Sequence, residues 1–238
     1  VNPLRHALTT LEYVRQKTDR IILFYSGVKD SLVLLDLLAS RFNKVYCVFM
    51  YFVEGLEHQN PILLYPKRYP NTEVIQFPHW MISHYYRHSY YRFHRTEENS
   101  PVVNLGDIEE AARIKTGCSW VVNGAKQSDG LNRNLMLGTL KFNSINEKSK
   151  RIYPLALWKK AEIIAFMKHH RLSKPVEYTM NKSNGIDLKV DVLLFLRANF
   201  PNDYQKILKH FPFAEKLIFE YDYQSELSQT SEIRSETD

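Results

Sequence analysis

Cysteine is scarce in this chain: Cys47 and Cys118 are the only two among 238 residues, and no Cys-x-x-Cys occurs. They stand far apart, with Cys47 inside an apolar run, so neither reads as half of a disulfide or as part of a metal cluster. Long apolar runs are missing too, none approaching the ~18 residues of a membrane-spanning helix. The first residues lack the basic-then-apolar order of a secretory signal. These absences together point to a cytoplasmic protein with no membrane partner. Glycine, at 8 residues, is too sparse for a collagen-like chain, and no internal repeat is visible.

What is present is ordinary globular material. Hydrophobic residues make up 44% of the chain, enough to bury one full core with a helical appendage and to exclude disorder throughout. The net charge of +6 favours polyanionic ligands, a class that takes in nucleotides, nucleic acid and sulfate or phosphate esters without choosing among them.

Leu4, Ala7, Leu8, Leu11 and Val14 predict a leading amphipathic helix over residues 3–17. Ile21 to Tyr25 is short, continuous and rich in strand formers, as a buried parallel strand is. After a Ser-Gly loop, Leu32, Leu35, Leu38, Ala39 and Phe42 trace a helix that begins near Asp30 or Ser31, either of which suits a helix cap. Further strands are expected from Val45 to Phe52, Val74 to Phe77, Trp120 to Val122 and near Ile152 to Leu155. Helices are expected from Asp107 to Lys115 and Lys159 to His170, while Pro61, Pro66 and Pro70 break the stretch between the second and third strands. Strands alternating with helices make residues 1–175 an α/β domain, a parallel sheet flanked by helices. Beyond Pro175 only helices are expected, from Val190 to Asn199 and Asp203 to Phe211, giving a helical C-terminal region over 176–224. Residues 225–238 hold six Ser or Thr and four acidic side chains, the composition of a disordered tail.

The segment between the first strand and its helix is the candidate site. A loop that leaves the C-terminal end of a buried parallel strand and enters a helix presents unpaired N–H groups and the positive end of the helix dipole, a generic anion site. Gly27 lets the backbone approach a phosphate, and Ser26 and Ser31 add hydroxyl donors. Lys29 brings a mobile charge, and Asp30 is placed either to hold a magnesium ion or to cap the helix. The order Gly-x-x-x-x-Gly-Lys-Ser/Thr of a Walker loop is not present.

The run Phe24-Tyr25-Ser26-Gly27-Val28-Lys29-Asp30-Ser31 resembles the pyrophosphate loop, Ser-Gly-Gly-x-Asp-Ser/Thr, of the ATP pyrophosphatases. Its Lys-Asp-Ser ending is similar to the branch that contains the phosphoadenylyl-sulfate (PAPS) reductases and the ATP sulfurylase small subunit. Two later blocks follow in that family's order. Val121 to Asp129, with Gly124 and Lys126 and then Arg133, is similar to a reductase stretch of strand, glycine, basic residue, acidic or serine pair and arginine. Arg151 to Trp158, followed by a helix with Glu162, resembles the Pro, Trp and helix block. The resemblance covers residues 20–175. It implies an adenine nucleotide α-hydrolase-like fold with ATP or a related adenine nucleotide as ligand, together with Mg²⁺. It also implies Lys29 and Asp30 as catalytic residues, Asp30 as the metal residue, and Ser26, Gly27, Val28, Ser31, Gly124, Lys126 and Arg133 as nucleotide-binding residues.

Two departures shape the functional expectation. Val28 stands at the family's second glycine, and because a β-branched residue resists positive φ the loop must hold it in an ordinary conformation. No cysteine follows Cys118, so the reductases' C-terminal thiol is missing. The expectation is therefore a PAPS reductase-like enzyme that cleaves ATP at the α-phosphate, releasing pyrophosphate and adenylylating an oxyanion. The alternatives are a sulfonucleotide reductase relative working with a partner thiol and a non-catalytic nucleotide- or nucleic-acid-binding module. The acceptor is open between an anionic small molecule and a nucleic acid. A homo-oligomer, a partner subunit, and a phage or cellular origin all fit the sequence.

Other residues have two readings each. Glu54, Gly55 and Glu57 are either a ribose, substrate or metal turn or an exposed loop. The stretch His79 to Arg95 mixes rings with cations, which fits base stacking or a substrate lid, or an amphipathic helix burying Trp80, Tyr85 and Phe93. Trp158 is expected in the core, with stacking on a ligand as the alternative, and Tyr204, Phe211 and Phe213 read as packing.

Overall fold

Strands that are apolar without alternation need cover on both faces, and such runs lie at Ile21, Val45 and Val121. The computed structural model, which describes residues 2–91, 101–173 and 188–235, places them side by side in a six-stranded sheet. In chain order the elements are α1 (Pro3–Arg15), β1 (Arg20–Phe24), α2 (Lys29–Ala39), β2 (Lys44–Tyr51), α3 (Asn60–Leu64), β3 (Thr72–Pro78), α4 (Met81–Arg87), α5 (Leu105–Thr116), β4 (Val121–Val122), α6 (Leu131–Gly138), β5 (Ile145–Asn146), β6 (Arg151–Ile152), α7 (Lys160–His169), α8 (Val190–Asn199), α9 (Pro201–His210) and α10 (Glu215–Ser235). The strand order is β3-β2-β1-β4-β6-β5. β1 runs parallel to β2, with Ile21 opposite Val45, and parallel to β4, with Ile22 opposite Val121. β4 and β6 are parallel, and β5 closes the edge antiparallel to β6. This is the α/β class that the alternation of strands and helices predicts.

The described residues form two compact units, the first built from Val1–Tyr51, Asn60–Phe77 and Asn104–Val176. It holds the sheet. On one side Ile22, Val48 and Val121 pack with Ala112 of α5 and Cys118. α2 buries Leu32, Val33, Leu34, Leu35, Leu37 and Leu38, nearly its whole circumference, at about 2 kcal/mol for each leucine taken from water. Asp36, its polar interruption, accepts a hydrogen bond from the Tyr69 hydroxyl at 2.9 Å and pairs with His170 at 2.8 Å. α2 is thus clamped against both β3's approach and the end of α7. α5 opens on Asn104, whose side chain accepts from Gly106 and Asp107 N–H while Asp107 accepts from Asn104 N–H, and it ends at Gly117 with φ +63°.

The second unit is built from Phe52–Gln59, Pro78–Val103 and Glu177–Asp238. The sequence reading of a helical region confined to 176–224 therefore differs from the structure, because two earlier segments join it. Asp203 supplies the reason. Fully buried in the first turn of α9, its carboxylate accepts from Glu57 N–H at 2.9 Å and His58 N–H at 2.8 Å, and lies 2.9 Å from His58 Nδ1. Glu57 therefore acts through its backbone, and Glu54, Gly55 and Glu57 lie on an exposed turn. Phe52 stacks on Tyr85, whose ring meets Phe211 edge-on. Residues 225–235, which read as tail, continue α10 to Ser235; extending a helix whose first turns are already formed costs little even for polar residues. Among the described residues no helix is long and apolar enough to cross a membrane.

Burial works to raise the Asp203 carboxyl, but the His58 and Glu57 N–H groups and the His58 ring outweigh it and hold it below the ordinary range. Burial lowers His58 against the pull of Asp203. For both groups the unfolded chain binds the proton more readily, so stability rises with pH. The second unit should lose stability below about pH 6.5 through His58 and further below about pH 4 through Asp203. Asp203→Ala, which orphans the Glu57 and His58 N–H groups, should cost about 3 kcal/mol in urea unfolding; it should abolish the loss below about pH 4 but deepen the loss below about pH 6.5, because His58 then stays buried without the Asp203 carboxylate.

Candidate functional site

Gly27 is the hinge of the loop. Its φ is +72°, and a Cβ there would come within 2.6 Å of Ile62 Cγ2, so both backbone and neighbour require glycine. Val28 follows at φ −81° and ψ 164°, an ordinary extended conformation, as a β-branched residue at this position needs. Val28 is also the N-cap of α2, with no side chain capping the helix. The expectation that Asp30 or Ser31 caps it is corrected: both lie inside the first turn, where the Ser31 hydroxyl donates to Val28 O at 2.9 Å. Ser31 is buried and bonded inward, while Ser26 is half-buried beside the hinge. The uncapped first-turn N–H groups and the dipole end are what the loop offers an anion.

A charge network lies across this helix end. The ammonium of Lys126, its side chain 7% exposed, donates to Asp30 Oδ2 at 2.7 Å and lies 3.1 Å from Asp129 Oδ1. Lys29 Nζ lies 3.5 Å from the same Asp30 oxygen and is the more exposed of the two lysines. Burial works to lower Lys126, but Asp30 and then Asp129 outweigh it and raise it above the ordinary lysine value, so the side chain stays charged. Lys126 is therefore no solvated surface charge. Asp30 Oδ1 is buried and has no hydrogen-bond partner among the described residues.

The structure brings together Ser26, Gly27, Val28, Lys29, Asp30, Ser31, Gly124 and Lys126. Gly124 lies against Asp30 and Leu34, yet an added Cβ would stand at an ordinary 3.6 Å from both, so glycine is not demanded there. Arg133 is set apart, exposed on α6 with no hydrogen bond or ion pair to the loop among the described residues. Asp129 is a member that sequence reading passed over. It accepts from Lys126 N–H at 2.8 Å as well as pairing with the ammonium, and its spacing of three residues from Lys126 at a turn into a helix was the available sign.

Elsewhere, Trp158 is a core residue, 2% exposed, with its indole N–H donating to Pro3 O at 3.0 Å and its ring edge-on to Phe166. Tyr204 and Phe211 are buried as expected, whereas Phe213 is 42% exposed. In the ring-and-cation stretch Tyr85 is buried and Trp80 half-buried, with His79, Trp80, His84 and His88 in ring contact; residues 92–95, Phe93 included, lie outside the described residues.

No protein-family model matches the chain, and no curated protein is similar to it in sequence. Among solved structures it is similar to an NH3-dependent NAD synthetase from Campylobacter jejuni in complex with the nitrate ion, at 17% identity and a TM-score of 0.43, over 92% of this chain and 96% of that one. At that level of likeness two chains need share neither ligand nor reaction.

Gly27→Ala should destabilise the protein by about 2 kcal/mol or more through both positive φ and the clash with Ile62, whereas Gly124→Ala should stay within about 0.5 kcal/mol of the parent in the same thermal melts. Lys126→Met removes the buried ammonium that Asp30 and Asp129 share and should cost about 3 kcal/mol; adding Asp30→Asn should recover much of that loss, a coupling read by a double-mutant cycle.

Proposed function

We propose that this chain is a nucleotide-binding enzyme that grips the pyrophosphate portion of ATP at the N-terminus of α2 and transfers the adenylyl group to an oxyanion. The observation that carries the reading is the uncapped end of α2 behind Gly27, flanked by Lys29 and by the buried ammonium of Lys126. In this reaction the acceptor oxygen attacks the α-phosphorus. A new oxygen–phosphorus bond forms as the bond to the α–β bridging oxygen breaks, and the electron pair leaves with pyrophosphate. The first-turn N–H groups and the Ser26 hydroxyl hold the leaving group in place, and Lys29 neutralises the charge that grows on it. An anionic acceptor needs no general base.

The residues fit a magnesium ion carried in with the nucleotide. Such an ion is usually held by one or two carboxylates and the substrate phosphates, and Asp30 offers one buried oxygen without a partner, while no cluster of three or more ligating side chains exists among the described residues. When bound, the ion would supply further neutralisation of the phosphate oxygens. Thiol chemistry by this chain alone is disfavoured. Cys47 is fully buried, which pushes its thiol up to about 12, and burial also raises Cys118.

Incubation with α-labelled ATP, Mg²⁺ and a series of oxyanion acceptors should release pyrophosphate and label one acceptor. Lys29→Ala should weaken ATP binding about tenfold. Intact, Lys29-dependent ATP binding with no pyrophosphate release under any acceptor would replace the enzyme reading with that of a nucleotide-binding module.

A further inference from the structure

β1, β4 and β6 run parallel, so the residues leading into them meet at one edge of the sheet, opposite the edge that carries the phosphate loop. There Lys17, Arg20, Ser119, Glu147 and Lys150 border a cleft of about 350 Å³ that Cys118 and Trp120 also line. Clefts near this size hold a phosphate with a sugar-sized body.

Three cations face one carboxylate in this cleft, and that carboxylate is already engaged. Glu147 accepts from the Tyr13 hydroxyl and pairs with Lys141 at 3.1 Å and Lys17 at 3.6 Å. Arg20 has only Asp19, at 4.0 Å, and Lys150 has no ion pair among the described residues. The guanidinium of Arg20, met by Asp19 only at 4.0 Å, and the ammonium of Lys150 thus bring positive charge to a shared concavity, where a bound anion would meet both. Lys150 sits at φ +50°, a left-handed conformation that glycine or asparagine adopts at lower cost. Lys150 closes the turn between β5 and β6, its N–H donating to Glu147 O at 3.3 Å, so its place beside Arg20 is fixed by the backbone.

We propose that this cleft is a second anion site, separate from the phosphate loop, which takes a phosphate group presented by a small phosphomonoester or by a polynucleotide backbone. Arg20 and Lys150 supply the charge, Ser119 a hydroxyl donor, and Lys17 stays with Glu147 at the rim. The site does not depend on the adenylyl-transfer reading.

The full chain carrying Lys29→Ala, which weakens the phosphate loop, is titrated calorimetrically with ribose 5-phosphate and separately with a short single-stranded oligonucleotide. At least one should bind. Its affinity should fall about tenfold on adding Lys150→Gly and again on adding Arg20→Gln. Lys150→Gly should leave the thermal midpoint unchanged or raised, because glycine suits the φ, which separates lost charge from lost fold. Binding of the ester marks a small-molecule site, and binding of the oligonucleotide alone marks a backbone phosphate; either supports the proposal. Failure of both ligands to bind, or binding indifferent to Lys150→Gly and Arg20→Gln, overturns it.

Discussion

Lys126 reaches Asp30 across 96 positions of sequence, at 2.7 Å. Without it the site would work against itself. A carboxylate in the first turn of α2 is attracted to the positive end of the helix and would compete there with any incoming anion. Covered by a buried ammonium, Asp30 keeps its place while its field is cancelled, and the helix end is left to the ligand with Lys29 beside it. The same ammonium holds Asp129 and so pins the turn that leads into α6. One charge therefore orders two loops and sets the sign of the surface they share.

Two steric facts make this arrangement precise enough to be useful. α2 is apolar on nearly every side and cannot slide without exposing leucines, and Asp36, the acidic residue beyond its first turn, is held by Tyr69 and His170. At Gly27 the loop passes Ile62 of α3 so closely that any side chain would clash with it. The first-turn N–H groups of α2 are thus positioned by packing rather than by a side-chain cap.

What was legible in the sequence was what depends on neighbours in sequence. β1 and β2 showed as unbroken apolar runs, α5 as a helix expected from Asp107 to Lys115, and the turn before α2 as a Ser-Gly loop between strand and helix. Val28 was rightly expected in an ordinary conformation. The rest is decided by partners that local pattern does not name. β4 and β6 were expected from the short apolar runs at Trp120 and Ile152, but β5, two residues long, is too short for any periodicity and exists because it lies against β6. α6 exposes Leu131 and Leu135, so its pattern did not mark a buried face. The burial of Lys126 and the recruitment of residues 52–59 to α9 by Asp203 each join residues about a hundred or more positions apart.

The register that sets Ile22 beside Val121 has a consequence for synthesis on the ribosome. β1 and β2 emerge early and can pair at once, but β1 then shows an open apolar edge until β4 has been translated and has left the exit tunnel. During that interval the nascent chain carries the kind of unpaired strand that invites association with other chains. Its safe passage depends on chaperones or on the speed of elongation, and the demand is set by the order of strands in the sheet rather than by the stability of the finished molecule.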